Sequence, residues 1–279
     1  MTSEQPPTTS NPDPKVPVVR KYRRTIAALT VLLVVLLLSA SGGIGWLIWE
    51  HNQREKAAQE LAETPIPTVE QPVASTPDTP EVALPDNPID FASIQQTSPD
   101  VYAWIYIPGT PINYPVVQHP NDDFFYIDHN PERNYAFEGS IFTEMANSLD
   151  FSDPITVIYG HNMHDETMFS TLHYFEDADF FAENDEMIIY TPGHILTYRI
   201  ISAYQYDNRH ILNSYDFSNP EVLADYQEYV RNPDSLLVNT RDVPLTSTDK
   251  IVQLSTCMTV QNWNRYLVNG VLIDDHLTN

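Results

Sequence analysis

The chain has 279 residues, enough for one domain with a sizeable core plus appendages. Of its 38 acids only Glu4, Asp13, Glu50 and Glu55 stand in residues 1–56, with seven of the 14 bases; 57–279 keeps 34 acids against seven bases, a formal net of −27. A body that acidic repels phosphate backbones and excludes nucleic acid as a partner, and the single cysteine, Cys257, excludes an internal disulfide and a zinc-finger site.

Residues 1–24 begin as a Pro/Thr/Ser-rich tail without core-forming residues and end in the basic cluster Arg20-Lys21-Tyr22-Arg23-Arg24. The run Ile26–Trp49 that follows carries no charge. As a helix it would be about 36 Å long, enough to cross a hydrocarbon core of about 30 Å. Trp46 and Trp49 stand at its far end, where an interfacial aromatic belt is expected, and the basic cluster before it sets the N-terminus in the cytoplasm. The reading is a cytoplasmic tail over 1–24, a single-pass transmembrane signal anchor over 25–49, and everything later outside the cell membrane. Ser39-Ala40-Ser41 offers small residues for a signal cleavage site, which is the rival for this segment.

Residues 50–88 read as an extracellular spacer. Pro65, Pro67, Pro72, Pro77, Pro80, Pro85 and Pro88 punctuate Thr, Glu and Val, a composition that extends the chain rather than burying it. The folded domain is expected over 89–279. Its apolar runs are short, rich in Val, Ile and Tyr, and bounded by Pro, Gly, Asn and Asp: Val101–Ile107, Ile112–Val117, Ile155–Tyr159, Met187–Tyr190, Leu196–Tyr204, Lys250–Leu254 and Tyr266–Ile273. Such spacing predicts a mainly β sandwich or barrel. Helices are expected over Asp90–Gln96 and Glu221–Arg231, the second with Pro220 in its first turn.

A lone cysteine is ordinarily a small buried hydrophobe. Cys257, however, follows Ile251-Val252-Gln253-Leu254 at a strand end, where a scaffold presents side chains to a pocket. A thiol kept outside the cell also invites oxidation unless it is buried or used. His161 follows the apolar run ending at Tyr159, with Gly160 expected to give a sharp turn. The other histidines are expected as solvated groups or helix-end partners. Arg265, eight residues after the cysteine, heads another strand; its plain alternative is a surface ion pair of little energetic weight. Thiol acyl transfer needs a thiolate, a proton donor for the departing amine and donors for an oxyanion, which Cys257, His161 and Arg265 could supply if the fold gathers them.

Tyr159-Gly160-His161-Asn162-Met163 with Met168-Phe169, then Leu254-Ser255-Thr256-Cys257, then Arg265-Tyr266-Leu267-Val268, resemble in order the histidine, cysteine and arginine motifs of class B sortases. The upstream Ser98-Pro99-Asp100, Trp104-Ile105, Tyr114-Pro115-Val116-Val117 and Gly139-Ser140-Ile141-Phe142 resemble that class too, so the likeness covers about residues 89–275. It implies an eight-stranded sortase barrel with a few peripheral helices, and transpeptidation by Cys257 as nucleophile, His161 as acid/base and Arg265 as orienting and oxyanion group. Backbone N–H groups near Cys257 would share the oxyanion, and Ser255 would line the substrate pocket. The implied partners are the sorting-signal peptide of surface proteins or pilins, an amine of a cell-wall precursor or pilin, and the membrane; no cofactor and no metal are expected. Glu144-Met145-Ala146-Asn147 and Met258 depart from the class pattern, which leaves the trio intact but bears on peptide preference. Another cell-wall cysteine transpeptidase or peptidase fits less well, because Arg265 is not adjacent to the cysteine and His161 precedes it. A non-enzymatic membrane-anchored scaffold is the alternative from another class.

Overall fold

The computed structural model describes residues 84–259 and 263–279. The tail, the expected anchor and most of the spacer lie outside the described residues, among which no helix is long and apolar enough to cross a membrane. The strands are β1 (Val101–Tyr106), β2 (Asn113–Val117), β3 (Ile141–Phe142), β4 (Ile155–Tyr159), β5 (Glu186–Thr191), β6 (His194–Tyr206), β7 (Val238–Thr240), β8 (Ile251–Cys257) and β9 (Arg265–Leu277). They form one sheet in the order β5-β1-β2-β3-β4-β8-β9-β6-β7, and a further β5–β6 pairing closes eight of them into a barrel, with β7 outside the closure. The expected eight-stranded, mainly β barrel is thus present. Its peripheral helices are α1 (Phe91–Ile94), α2 (Ala178–Glu183), α3 (Ile211–Ser214) and α4 (Pro220–Arg231).

Local chemistry explains the closure. Between β5 and β6 the chain reverses at Pro192-Gly193: proline presets the first turn position and Gly193 supplies φ +86, which an L side chain rarely adopts. β6 is long enough for β5 to pair with its first half and β7 with its second, along the edge opposite β9. Inside the barrel Ile105, Val116, Phe169, Leu172, Tyr198, Val252, Leu254 and Val268 form the main core. Truncating one of the large aliphatic members would cost about 2–5 kcal/mol.

A second core covers the outer face of β4, β8, β9 and β6. Its lid is α4, started by Asn219, whose side chain caps Glu221 N–H, and by Pro220. Leu223, Tyr226, Gln227 and Val230 recur at helical spacing and make the buried stripe. A polar chain fixes this layer: the Tyr226 hydroxyl donates to Gln253 Oε1 at 2.8 Å, Gln253 Nε2 to Asn269 Oδ1 at 2.5 Å, and Asn269 Nδ2 to Ser202 Oγ at 3.1 Å. Buried partners of this kind lose heavily if the register slips, because each would be left unpaired.

The packed unit begins earlier than position 89. Asn279 donates its backbone N–H to the Pro85 carbonyl and Nδ2 to the Leu84 carbonyl, and Asn87 Nδ2 donates to the Thr191 carbonyl at 2.8 Å. Residues 84–88 are therefore tied to the barrel rather than free as spacer.

Candidate active site

The sheet order places the chemistry. β8 lies between β4, parallel to it, and β9, antiparallel to it. Val252 and Leu254 point into the barrel core while Ile251 joins the outer core, so alternation turns Ser255 and Cys257 outward with Ile251. On β9, Tyr266 and Val268 point inward and Leu267 outward, which sets Arg265 on the same outer face as Cys257. Cys257 was expected just past its strand; it is the last residue of β8 and half-buried. Its cross-strand partner is Arg265, the first residue of β9. The pairing brings Arg265 Nη1 to 3.0 Å from Cys257 Sγ, a charge-assisted contact.

The parallel register aligns Tyr159 with Ser255, and beyond the end of β4 the Gly160 N–H and the Asn162 side chain, on either side of His161, bond the Ser255 and Cys257 carbonyls, so the backbone of His161 borders the end of β8. His161 does not bond the thiol here: its Nε2 donates to the Ile127 carbonyl at 2.7 Å. The role expected for Gly160 is corrected. It is not among the positive-φ glycines, and what it supplies is space, since a Cβ there would lie 2.6 Å from Ile141 Cδ1 and 2.7 Å from Phe169 Cγ.

Ser255 is buried one rung below Cys257 on the same face, and its carbonyl accepts the Gly160 N–H at 3.1 Å. The backbone oxyanion donor expected beside the thiol is also corrected at Met258. That N–H is spent on the Asn264 carbonyl at 3.1 Å, which continues the β8–β9 ladder.

Several neighbours escaped the sequence reading. Tyr159 shares the outer face with Ser255; burial raises its hydroxyl pKa, Glu144 adds to the shift and the charge of Arg265 opposes it, so it stays a neutral donor. Glu144, itself buried, takes the Nε2 hydrogen of His210 at 2.9 Å; desolvation holds its carboxyl above the ordinary glutamate range, partly countered by His210. This contact ties α3 to the end of β3. His173 was expected as one of the solvated or helix-end histidines. It stands in the last turn of the 3-10 segment Ser170–Glu176, largely covered, stacked on the Tyr266 ring at 5.0 Å, with Nε2 at 3.0 Å from the Cys257 carbonyl. Asn162 Nδ2 donates to the same carbonyl at 2.9 Å. Asn162 had a usable signal, as the neighbour of His161. His173, 84 residues before the cysteine, had none.

A cysteine thiol beside a guanidinium, with a histidine on the segment that borders the end of its strand, can do nucleophilic acyl transfer. The comparisons agree with that chemistry. A family model described as the sortase domain matches residues 105–273. Sortase B of Listeria monocytogenes is 30% identical over 186 residues, 66% of this chain and 74% of that protein. Sortase B of Clostridium perfringens has a solved structure that superposes with a TM-score of 0.60 at 34% identity, covering 66% of this chain and 99% of that one. A Staphylococcus aureus sortase B–substrate complex gives a TM-score of 0.60 at 26% identity, covering 68% and 87%.

Proposed function

Because the chain belongs to the sortase family, as one of its class B cysteine transpeptidases, we propose that Cys257 is its nucleophile, His161 its acid/base and Arg265 the group that steadies thiolate and oxyanion. The observation that carries this reading is the 3.0 Å approach of Arg265 Nη1 to Cys257 Sγ across paired strand ends.

The Cys257 thiolate attacks the carbonyl carbon of a Thr residue in a sorting signal, forming a C–S bond and an oxyanion. Arg265 donates to that oxygen; Met258 N–H, already bonded, does not. Collapse breaks the C–N bond, and the leaving amine takes a proton from the imidazolium of His161. The thioacyl enzyme then meets an incoming amine, which attacks the same carbon and gives its proton to His161 as the C–S bond breaks. On this reading the His161 ring must turn from the Ile127 carbonyl toward the thiol during each cycle.

Ser255 and Tyr159, on the face of Cys257, would floor the peptide groove. The acceptor amine would come from a cell-wall precursor or from a pilin, the second in keeping with the Streptococcus pyogenes class B sortase involved in pilus biogenesis. No nucleic acid and no cofactor enter this reading. Residues 25–49 would anchor the chain in the cell membrane, with 1–24 cytoplasmic and the catalytic domain outside, joined by the spacer that begins at residue 50. Protease added to wall-stripped cells should then release the domain.

The chemistry is tested by incubating the full chain in detergent with Asn-Pro-x-Thr-x and Leu-Pro-x-Thr-x peptides and following thioacyl adducts by mass spectrometry. A Thr-terminated adduct on Cys257, absent in Cys257→Ala and resolved by added amine, is the expected result. Cleavage that persists in Cys257→Ala would refute the assignment.

A further inference from the structure

Cys257 is gripped at its carbonyl as well as at its sulfur. β4 ends at Tyr159, and the Gly160 amide gives β8 its last ordinary rung at the Ser255 carbonyl. The next carbonyl on that side belongs to Cys257. Side chains fill the vacant rung: Asn162 Nδ2 donates to it at 2.9 Å, with a second hydrogen directed to Thr259 Oγ1 at 3.1 Å. His173 Nε2 approaches the same oxygen to 3.0 Å.

His173 comes from the 3-10 segment Ser170–Glu176 and is itself held on two sides. Its Nδ1 lies 2.5 Å from Glu176 Oε1, and its ring stacks on Tyr266, the residue after Arg265. The segment is fastened in turn by Asn239 Nδ2, which donates to the Phe175 and Glu176 carbonyls at 2.8 and 3.1 Å. Donating from Nδ1 to the Glu176 carboxylate and from Nε2 to the carbonyl uses both ring hydrogens, so the ring makes the two contacts as an imidazolium paired with Glu176, beside the Asn162 amide at 3.1 Å.

We infer that His173, braced by Glu176 and Tyr266, is a positioning residue for the Cys257 thiol. This inference rests on Cys257 being the nucleophile. The physical link is the planar peptide joining Cys257 to Met258. Its carbonyl is held by Asn162 and His173, and its N–H, on the opposite side, by the Asn264 carbonyl. A plane fixed at both edges fixes the Cα of Cys257 and therefore the direction in which the Cβ–Sγ arm leaves the strand. The need is local, because the described part of β8 ends at this residue and no further β4 rung supports it. His173 touches neither the sulfur nor a substrate atom; its effect runs through the backbone.

Displacement of a reacting group by about 1 Å costs on the order of 10²-fold in rate. The test uses the full chain in detergent, measuring peptide cleavage and amine transfer together with thermal melting, for His173→Ala, His173→Gln, Glu176→Gln and Cys257→Ala. His173→Ala should lose kcat about 10²-fold with KM unchanged, since the peptide groove is untouched. His173→Gln, whose amide can still donate to the carbonyl, should recover most of that loss. Glu176→Gln should lower kcat to a lesser degree, again at constant KM, and decides the matter if the alanine variant does not fold. The inference is overturned if kcat stays within twofold of wild type in His173→Ala and Glu176→Gln. It is equally overturned if alanine and glutamine at 173 lose activity alike and in step with melting temperature, which is what a packing role would give. Transfer that survives Cys257→Ala would instead remove the nucleophile assignment beneath it, a separate failure.

Discussion

Replacing Arg265 separates a charge beside the thiol from a guanidinium that does two things at once. In the structure one N–H of Arg265, on Nη1, reaches Cys257 Sγ at 3.0 Å, and the rest of the planar fork remains to meet a substrate oxygen. Lysine at 265 keeps the charge but is a single point donor, so it can serve the sulfur or the oxyanion and not both. Losing one charge-assisted hydrogen bond is worth about 1.5–3 kcal/mol, which at about 1.36 kcal/mol per decade becomes a loss of roughly 10–10²-fold in kcat/KM. Alanine removes both contacts, and the expected loss rises to about 10²–10⁴-fold. Folding should be little affected, because Arg265 sits at a partly exposed strand end with the ladder to β8 carried by backbone. The assay is cleavage of a quenched fluorescent sorting peptide, with iodoacetamide alkylation in parallel to read the thiolate directly. Full activity in Arg265→Lys would refute the two-contact argument, and normal kcat/KM in Arg265→Ala would remove Arg265 from the mechanism.

Three further outcomes follow from the packing around the site. Glu144 has its carboxyl pKa raised by burial, so the unfolded chain ionises first and stability is lost as pH climbs through the raised value; Glu144→Gln, which never ionises, should gain in melting temperature over wild type as pH climbs above the ordinary glutamate value of 4.5, and a gap that shrinks with rising pH would contradict it. Gly160→Ala puts a Cβ 2.6 Å from Ile141 Cδ1 and 2.7 Å from the Phe169 ring, which should cost about 1–3 kcal/mol of stability and reduce kcat/KM by moving His161; unchanged urea melts would show the packing there to be slack. A protein shortened to begin at residue 89 loses the Asn87 bonds to Thr191 and Thr278 that one beginning at residue 84 retains, and should melt lower by an amount corresponding to about 1–3 kcal/mol; identical melts would return residues 84–88 to the spacer.

The long strands were legible because their chemistry is local. Ile155–Tyr159 was read to the residue, and β1, β5, β6, β8 and β9 differ from expectation chiefly at their ends. Ends are where a sequence says least, since Arg265 or Cys257 belongs to a strand only by virtue of the partner opposite it. β3 and β7 were missed for the same reason: Ile141–Phe142 and Val238–Thr240 are too short to show a period, and neighbours define them as strands. Helix α4 announced itself through Pro220, whereas α2 and α3 are short helices started by Asp177 and His210, residues equally at home in loops. The spacer boundary failed at residues 84–88 because proline-rich composition reports poor core-forming capacity. It does not report whether a terminal residue such as Asn279 will reach back to bind the backbone.

The site divides along the same line. Cys257, His161 and Arg265 were legible as candidates because each follows or begins a recognisable strand, and because the chemistry of acyl transfer asks for those three side-chain types. What holds them was not recoverable. The close approach at Gly160 depends on Ile141 and Phe169, the Cys257 carbonyl on His173 and Asn162, and the α3 wall on a buried Glu144 meeting His210. Each contact joins segments that only barrel closure makes neighbours. Parallel pairing of β4 with β8 is the decisive step, for it brings the segment that follows β4, with His161, beside the end of β8 across a separation of 96 residues from Cys257. A slip of one residue between β8 and β9 would set Cys257 and Arg265 on opposite faces. The buried Gln253–Asn269 pair and the Tyr226 bond that guards it therefore serve the chemistry by fixing register two rungs and more from the sulfur.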